Sequence, residues 1–241
     1  MKQVLITGAT RGIGAATAVL MGSAGSRVWL HHRNREEAAR AVAKTITANG
    51  GPEPALISFD LARRAEVNAA ILSVLEQMGT PNALVLNAGI ARSGLFAFTD
   101  DAEWDEVMNT NLVGFLGVAR PIVKAMIREH RGRIVLLSSV AAQRGSPGQV
   151  LYAASKGALT AAARSLSLEL APRGITVNVV APGLIETEMP DGTPINQLLP
   201  MIPLRRVGKP IEVAHVIQYL CSDEAAYVTG QVIGVNGGLW M

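Results

Sequence analysis

Three residues in the middle of the chain have side chains whose types and spacing suit acid–base chemistry at an oxygen: Ser139, Tyr152 and Lys156. Tyr152 and Lys156 stand four apart in Leu151-Tyr152-Ala153-Ala154-Ser155-Lys156, so on a helix they share one face. An ammonium beside a phenol favours the ionised phenol and lowers a pKa that is ordinarily about 10. A tyrosine tuned in this way exchanges protons near neutrality. Ser139 follows an apolar run and adds a second hydroxyl. A tyrosine at an interface beside a surface lysine would show the same spacing, so the company these residues keep decides between the two.

Part of that company lies near the N-terminus, where Thr7-Gly8-Ala9-Thr10-Arg11-Gly12-Ile13-Gly14 runs from a short apolar segment into the alanine-rich stretch Ala15 to Met21. Gly8 permits a tight turn, Gly12 lets backbone approach a pyrophosphate, and Gly14 lets a helix pack close to a sheet with its first amides facing the phosphates. The glycine spacing differs from GxGxxG, but its place directly after a first strand favours a dinucleotide loop over a merely structural one. Folds that prefer NAD place an acid about 20 residues further on, at the end of the second strand. This chain reads His31-His32-Arg33-Asn34-Arg35 there. No acid repels a 2′-phosphate, and Arg33 with Arg11 matches phosphate geometry, which predicts NADP(H); ordinary solvated arginines are the alternative. Asp60 either accepts from an adenine amino group or caps the next helix. Asn87-Ala88-Gly89 either borders the ribose and adenine or is a turn.

The elements that must position these residues are legible as seven short apolar runs: Gln3 to Thr7, Arg27 to His31, Ala55 to Phe59, Ala83 to Asn87, Arg133 to Leu137, Ile175 to Val180 and Val232 to Val235. Helical patterns fill the intervals, and no two runs are joined by a hairpin-length turn. Such alternation predicts an α/β fold, a doubly wound Rossmann-type arrangement with a seven-stranded parallel sheet and helices on both faces. Neither a repeat nor a Gly/Ser linker divides the chain, so residues 1–241 read as a single domain. Residues 186–209, with prolines at 190, 194, 200 and 203, read as a loop long enough to be a lid.

Composition narrows the function classes. The 241 residues are 49% hydrophobic and 17% charged, which excludes disorder and fibrous repeats. One cysteine allows neither an intramolecular disulfide nor a thiolate zinc cluster, and the four histidines form no HExxH pair, so no metal site is expected. The apolar run Val4-Leu5-Ile6 is too short for a signal-peptide core and no uninterrupted apolar run of about 18 residues occurs, so a cytoplasmic protein with no membrane span is expected. The net charge of +3 is too mild to argue for nucleic acid. It leaves room for a local basic patch that meets an acidic partner.

Taken in order, the glycine loop, Asn87-Ala88-Gly89, Asn111, Ser139, Tyr152 and Lys156, Pro182-Gly183-Leu184-Ile185-Glu186-Thr187 and the closing Val235-Asn236-Gly237-Gly238 resemble the short-chain dehydrogenase/reductase family over essentially the whole chain. The resemblance implies that Tyr152 is the proton donor and Ser139 orients and polarises a substrate carbonyl. Lys156 would tune the tyrosine and hold the nicotinamide ribose, and Asn111 would anchor a proton-relay water. It further implies that Thr10, Ile13 and Leu61 join the cofactor-binding set, and that Pro182, Gly183, Ile185 and Thr187 fix the nicotinamide. The mechanism needs no metal.

Within the family, Leu137-Ser138-Ser139-Val140, Gly148-Gln149, Arg173 to Asn178 and Tyr227 to Gln231 look like 3-oxoacyl-[acyl-carrier-protein] reductases, which use NADPH. Arg173 matches a residue with which those enzymes dock acyl carrier protein; at the other docking position this chain has His130, flanked by Arg128 and Arg131. Ser93-Gly94-Leu95-Phe96 departs from the more polar sequence common in that group, which leaves open an aryl-polyene, pigment or polyketide ketoreductase. Met189, Leu198, Leu199, Met201 and Ile202 either cover an acyl chain or pack on the body or a neighbouring subunit. A reductase of acetoacetyl-CoA or a small ketone is the near alternative, and a non-catalytic NADP-binding regulator the distant one. The helix from Tyr152 to Leu170 is apolar or small on nearly every side, which predicts self-association, and the resemblance points to a homotetramer.

Overall fold

The computed structural model describes residues 2–187 and 198–241. Its strands are β1 (Gln3–Ile6), β2 (Arg27–His32), β3 (Ala55–Ser58), β4 (Ala83–Leu86), β5 (Gly132–Leu137), β6 (Ile175–Pro182) and β7 (Val232–Val235). They form one seven-stranded sheet in the order β3-β2-β1-β4-β5-β6-β7, with every neighbouring pair parallel. The order reverses between β1 and β4. There the chain crosses first to one half of the sheet and then to the other, so a crevice opens at the carboxyl ends of the strands.

The helices are α1 (Gly12–Ser23), α2 (Glu36–Ala48), α3 (Arg64–Met78), α4 (Asp101–Met108), α5 (Gly114–Glu129), α6 (Ala141–Arg144), α7 (Val150–Leu170) and α8 (Pro210–Leu220). Alternation along each strand divides the core in two. Leu5, Leu84, Ile134 and Val177 face one side and pack with Val67 and Ile71 of α3, Val118 and Ile122 of α5, and Leu159 of α7. Val4, Ile6, Val85 and Val135 face the other and pack with Ala18 of α1, Ile46 of α2 and Ile217 of α8. Because both faces are covered, most strands are short apolar runs rather than alternating ones, although β6 carries Thr176 and Asn178 and β2 ends in His31 and His32.

Most strand boundaries lie within a residue of those expected. β6 runs two residues past Val180, since Ala181 and Pro182 still pair with Gly234 and Val235 of β7. That extension carries the chain directly into Gly183 at the sheet's carboxyl edge. Between α4 and α5 the helix does not break but passes through a π-turn, Asn109–Val113. The resulting helical stretch, Asp101–Glu129, is long and apolar enough by composition to cross a membrane, a feature the sequence reading did not find. Half of its apolar window is buried inside the fold, as befits a core helix. Of the expected lid, residues 188–197, including Met189, lie outside the described residues.

Candidate active site

The loop after β1 is shaped by hydrogen bonds that cross the switch point. Thr7 Oγ1 accepts from the backbone amides of Asn87 and Ala88, both at 3.0 Å, while Asn87 Nδ2 donates to the carbonyls of Thr7 and Gly8, also at 3.0 Å. Gly8 and Gly12 have φ of +65° and +51°, conformations that glycine adopts without strain. A Cβ on Gly8 would lie 3.0 Å from the Ala88 Cα, and one on Gly12 would lie 3.0 Å from Thr187 Cγ2. Gly14 lines no cleft. A side chain there would run into the Gly8 carbonyl and the Asn87 amide, so this glycine sets the distance from the first turn of α1 to the loop.

These residues border a cleft of about 340 Å³ lined by Gly8, Thr10, Arg11, Gly12, Ile13, Arg33, Asp60, Leu61, Asn87, Ala88, Gly89 and Thr187. Arg11, Arg33 and Arg35 thus all border the one cleft. No acidic residue occupies the first turn of α1, so its amides present an unopposed positive end. Asp60 resolves differently from either expectation taken alone. Its Oδ1 accepts from the Ala62 amide at 3.0 Å, an Asx-type turn, whereas the residue preceding α3 is Arg63, and the carboxylate still lines the cleft.

A second cleft of about 410 Å³ adjoins the first, sharing Ile13, Asn87 and Thr187 with it. Ser139, Tyr152, Lys156, Pro182, Gly183 and Ile185 line it, together with Leu184, Leu198, Met201 and Ile202. Ser139 follows β5, and its Oγ accepts from the Ala141 amide at 3.1 Å. Tyr152 rises from the first turn of α7 and is hydrogen-bonded to Ser139. Gly183 lets the end of β6 approach Asn236, whose Cα would be 2.7 Å from a Cβ at that position.

Lys156, one turn beyond Tyr152, is 3% exposed, donates to the Leu137 carbonyl at 2.7 Å, and has its Nζ 5.8 Å from the tyrosine ring centre. Burial pulls its pKa down to about 8, so the ammonium is charged below that pH. The expected lowering of the Tyr152 phenol is not found. Burial pushes it above its ordinary value, with the Ser139 hydrogen bond acting in the opposite direction. Lys156 is directed to the Leu137 carbonyl, and desolvation is the larger influence on the phenol.

Asn111 lines neither cleft. It sits in the π-turn, 2% exposed, where Oδ1 accepts from the Ile90 amide at 2.8 Å and Nδ2 donates to the Ile90 carbonyl at 2.9 Å and to Ser155 Oγ at 3.0 Å. Its amide thus ties the segment after β4 to α7. A Cβ on Gly89 would lie 3.0 Å from Asn111 Oδ1 and 3.2 Å from Lys156 Nζ, so the three converge.

His31, at the end of β2, has a role at the site that the sequence reading does not single out. Its Nδ1 accepts from the Gly8 amide at 3.0 Å and its Nε2 pairs with the Phe59 carbonyl at 3.1 Å, which fixes the neutral ring with the proton on Nε2. One imidazole therefore holds the glycine loop against the ends of β2 and β3. The detectable signal is a histidine at the end of the apolar buried run Val28-Trp29-Leu30.

A family model described as enoyl-(acyl carrier protein) reductase matches residues 8–240. The chain belongs to the short-chain dehydrogenase/reductase family. It is 46% identical over 240 residues, 99% of each chain, to the 3-oxoacyl-[acyl-carrier-protein] reductase FabG of Aggregatibacter actinomycetemcomitans. A reductase of the same name from Staphylococcus aureus is 41% identical over 243 residues, covering 100% of this chain and 98% of its own. The 3-oxoacyl-[acyl-carrier-protein] reductase of Synechocystis is 40% identical over 238 residues, covering 98% and 96%. Identity of this extent to such reductases makes the chain an oxidoreductase, and a nicotinamide cofactor follows from the family.

Burial lowers the His31 pKa from 6.5 to about 4. A base whose folded pKa is depressed contributes stability that is complete above 6.5 and is lost as pH falls toward 4, here about 3 kcal/mol. Urea unfolding across that window should show wild type losing its margin over His31→Gln by that amount. Parallel curves would show that the ring does not titrate as placed. Glu212, lowered to about 2 beside Arg206, acts in the separate window below 4.5.

Proposed function

We propose that the protein is an NADPH-dependent 3-oxoacyl-thioester reductase that acts on an acyl group carried by acyl carrier protein, as a single domain spanning residues 1–241 in the cytoplasm. The observation that carries this reading is the hydrogen-bonded hydroxyl pair of Ser139 and Tyr152, seated over the buried Lys156 in a cleft continuous with the glycine-loop cleft. Two hydroxyls converging on one point suit a ketone oxygen on which negative charge grows. The names of the relatives support the same class of reaction.

The residues present fit a dinucleotide. Positive-φ glycines leave the space that a Cβ would fill, and α1 directs its amides there. Arg11 and Arg33 supply guanidinium groups for a 2′-phosphate, with Asp60 and Leu61 beside the adenine and Asn87 to Gly89 along the ribose. Pro182, Gly183, Ile185 and Thr187 would hold the carboxamide end. When bound, the nicotinamide supplies hydride. Ser139 orients the substrate carbonyl, and Tyr152 O–H gives its proton to the carbonyl oxygen. One of the three Lys156 N–H groups is used by the Leu137 carbonyl, which leaves two for ribose hydroxyls. Its charge, held in a buried setting, stabilises the phenolate that remains. Asn111 acts by fixing Ile90 and α7, and keeps one Oδ1 lone pair for a relay water.

The acyl chain is assigned to the wall formed by Leu184, Leu198, Met201 and Ile202. Leu95, Phe96 and Phe98 do not line that wall and are 62%, 62% and 84% exposed; from their loop Asn87 and Ala91 reach the cleft.

Carrier docking at Arg128, His130, Arg131 and Arg173 has a geometric consequence. These residues precede β5 and β6, at the end of the sheet opposite Ser139. Arg131 is paired with Glu129, while the Gly174 backbone approaches the His130 carbonyl. Tyr152 lies in the first turn of α7 and Arg173 three residues beyond its last, and the 21 residues of that helix span about 30 Å. A carrier docked there would serve the active site of another subunit, in keeping with a homotetramer built on α7, where Val150 and Leu168 are 44% and 79% exposed. Light scattering that returned a stable monomer at micromolar concentration would remove both ideas.

The deciding assay follows NADPH oxidation with a 3-oxoacyl-carrier-protein thioester, beside the coenzyme A thioester, a simple ketone and an NADH control. Fast reduction selective for NADPH and the carrier is expected. Activity confined to the coenzyme A thioester or the ketone would transfer the protein to the small-substrate reductases. Removing only the proton donor, Tyr152→Phe should lower turnover by about 10² to 10⁴ while NADPH still binds. Undiminished turnover would exclude Tyr152 as the acid. Arg33→Ala should weaken NADPH by about tenfold more than NADH, since a charge-assisted hydrogen bond is lost for the first alone; equal weakening would remove Arg33 from the 2′-phosphate.

A further inference from the structure

The cleft that holds Ser139 and Tyr152 has two chemically different sides. Leu184, Met201, Ile202 and Leu239 make one of them apolar, while Arg144, Ser146 and Gln149 place a cation, a hydroxyl and an amide on the other. On this polar side the chain climbs out of the core. Ser138 is 4% exposed and Ala141 6%, and every residue from Arg144 to Pro147 is exposed. α6 makes the climb rigid, because the Ala142 amide donates to the Ser139 carbonyl at 3.1 Å and the Arg144 amide to the Val140 carbonyl at 2.9 Å. The Gly94 amide, bonded to the Gly148 carbonyl at 2.9 Å, fixes the turn that follows. Arg144 is thereby set one turn beyond Ser139, at the solvent end of the substrate cleft.

Among the described residues Arg144 is the one arginine in the lining of this cleft, and it lacks the partner that several surface arginines have. Arg40, Arg63, Arg92, Arg131 and Arg206 each pair with a glutamate. Among the described residues Arg144 makes no side-chain hydrogen bond or ion pair, although it is part of a cleft wall. We propose that Arg144 forms a phosphate subsite for the pantetheine arm of the thioester, so that the acyl chain lies along the apolar wall and the arm leaves the cleft past α6. The phosphate is common to carrier-protein and coenzyme A thioesters. A guanidinium matches it with parallel N–H donors, and Ser146 and Gln149 stand where the arm's amides would pass. The ligand named here rests on the thioester-reductase reading above.

The test compares one 3-oxoacyl group carried on coenzyme A with the same group on N-acetylcysteamine, a truncated arm without phosphate. In Arg144→Met the ratio of kcat/KM for the coenzyme A thioester to that for the truncated one should fall about tenfold through KM, with Arg144→Lys keeping part of it. In wild type the same ratio should shrink as ionic strength rises. Loss of equal size on both carriers would overturn the proposal, since Arg144 would then act on the acyl group or on the fold. Calorimetry with 4′-phosphopantetheine decides the matter without turnover: binding to wild type that weakens in Arg144→Met supports the subsite even where both thioesters are inert, a result that would sink the reaction assigned above. Equal binding by both proteins, or none to wild type, overturns it.

Discussion

The seam between β1 and β4 is the constraint on which the rest of the site depends. Parallel strands at a switch point diverge into loops that run opposite ways, so nothing in the sheet ladder itself holds those loops together. Thr7 and Asn87 do so. One hydroxyl accepts two backbone amides, and one carboxamide donates to two carbonyls, across a sequence separation of about 80 residues. An unpaired buried backbone group is costly, so these side chains do for the loops what the ladder does for the strands. The positions of Gly8, Gly14 and Ala88 all follow from that lacing, and with them the place where phosphates can approach backbone.

Two buried bases complete the arrangement in opposite senses. His31 is neutral, and its two nitrogens are matched to a donor and an acceptor, so burial of the ring is compensated by hydrogen bonds while the charge is suppressed. Lys156 keeps its charge below about pH 8 with the Leu137 carbonyl as its hydrogen-bond partner. A cation in that setting acts strongly on whatever charge develops nearby, because little water screens it. The first base is a brace and the second an electrostatic element, and the difference lies in how completely each one's hydrogen-bonding capacity is met.

Much of this was legible in the sequence for physical reasons. Strands covered on both faces are mostly apolar, so their existence and nearly their ends could be read directly. Glycines at Gly8 and Gly12 and the four-residue spacing of Tyr152 and Lys156 are local geometry, visible in a linear string. What escaped depends on contacts between distant segments. His31 is meaningful only because Gly8 and Phe59 meet it from other strands. The π-turn at Asn109–Val113 leaves no compositional trace, yet it decides that Asn111 faces Ile90 and Ser155. The lowered phenol was inferred from spacing alone, and spacing says nothing of the desolvation that raises it. The basic positions Arg128, His130, Arg131 and Arg173 are legible as residues, but only the direction of β5 and β6 shows that they stand at the end of the sheet opposite Ser139.

The lacing of Thr7 to Asn87 also bears on the order in which the molecule can take shape as it is synthesised. β1 and β2 are close in sequence and can associate early, but the partner that gives the glycine loop its form is not made until more than a third of the chain has emerged. Until then Gly8 and Gly12 lie in the most flexible type of segment a chain possesses, next to apolar strands with an unfilled edge. The ability to recognise a nucleotide is therefore a late acquisition, made when β4 closes the gap. A partly made chain that had bound cofactor prematurely would have to exclude the strand that completes its own binding site.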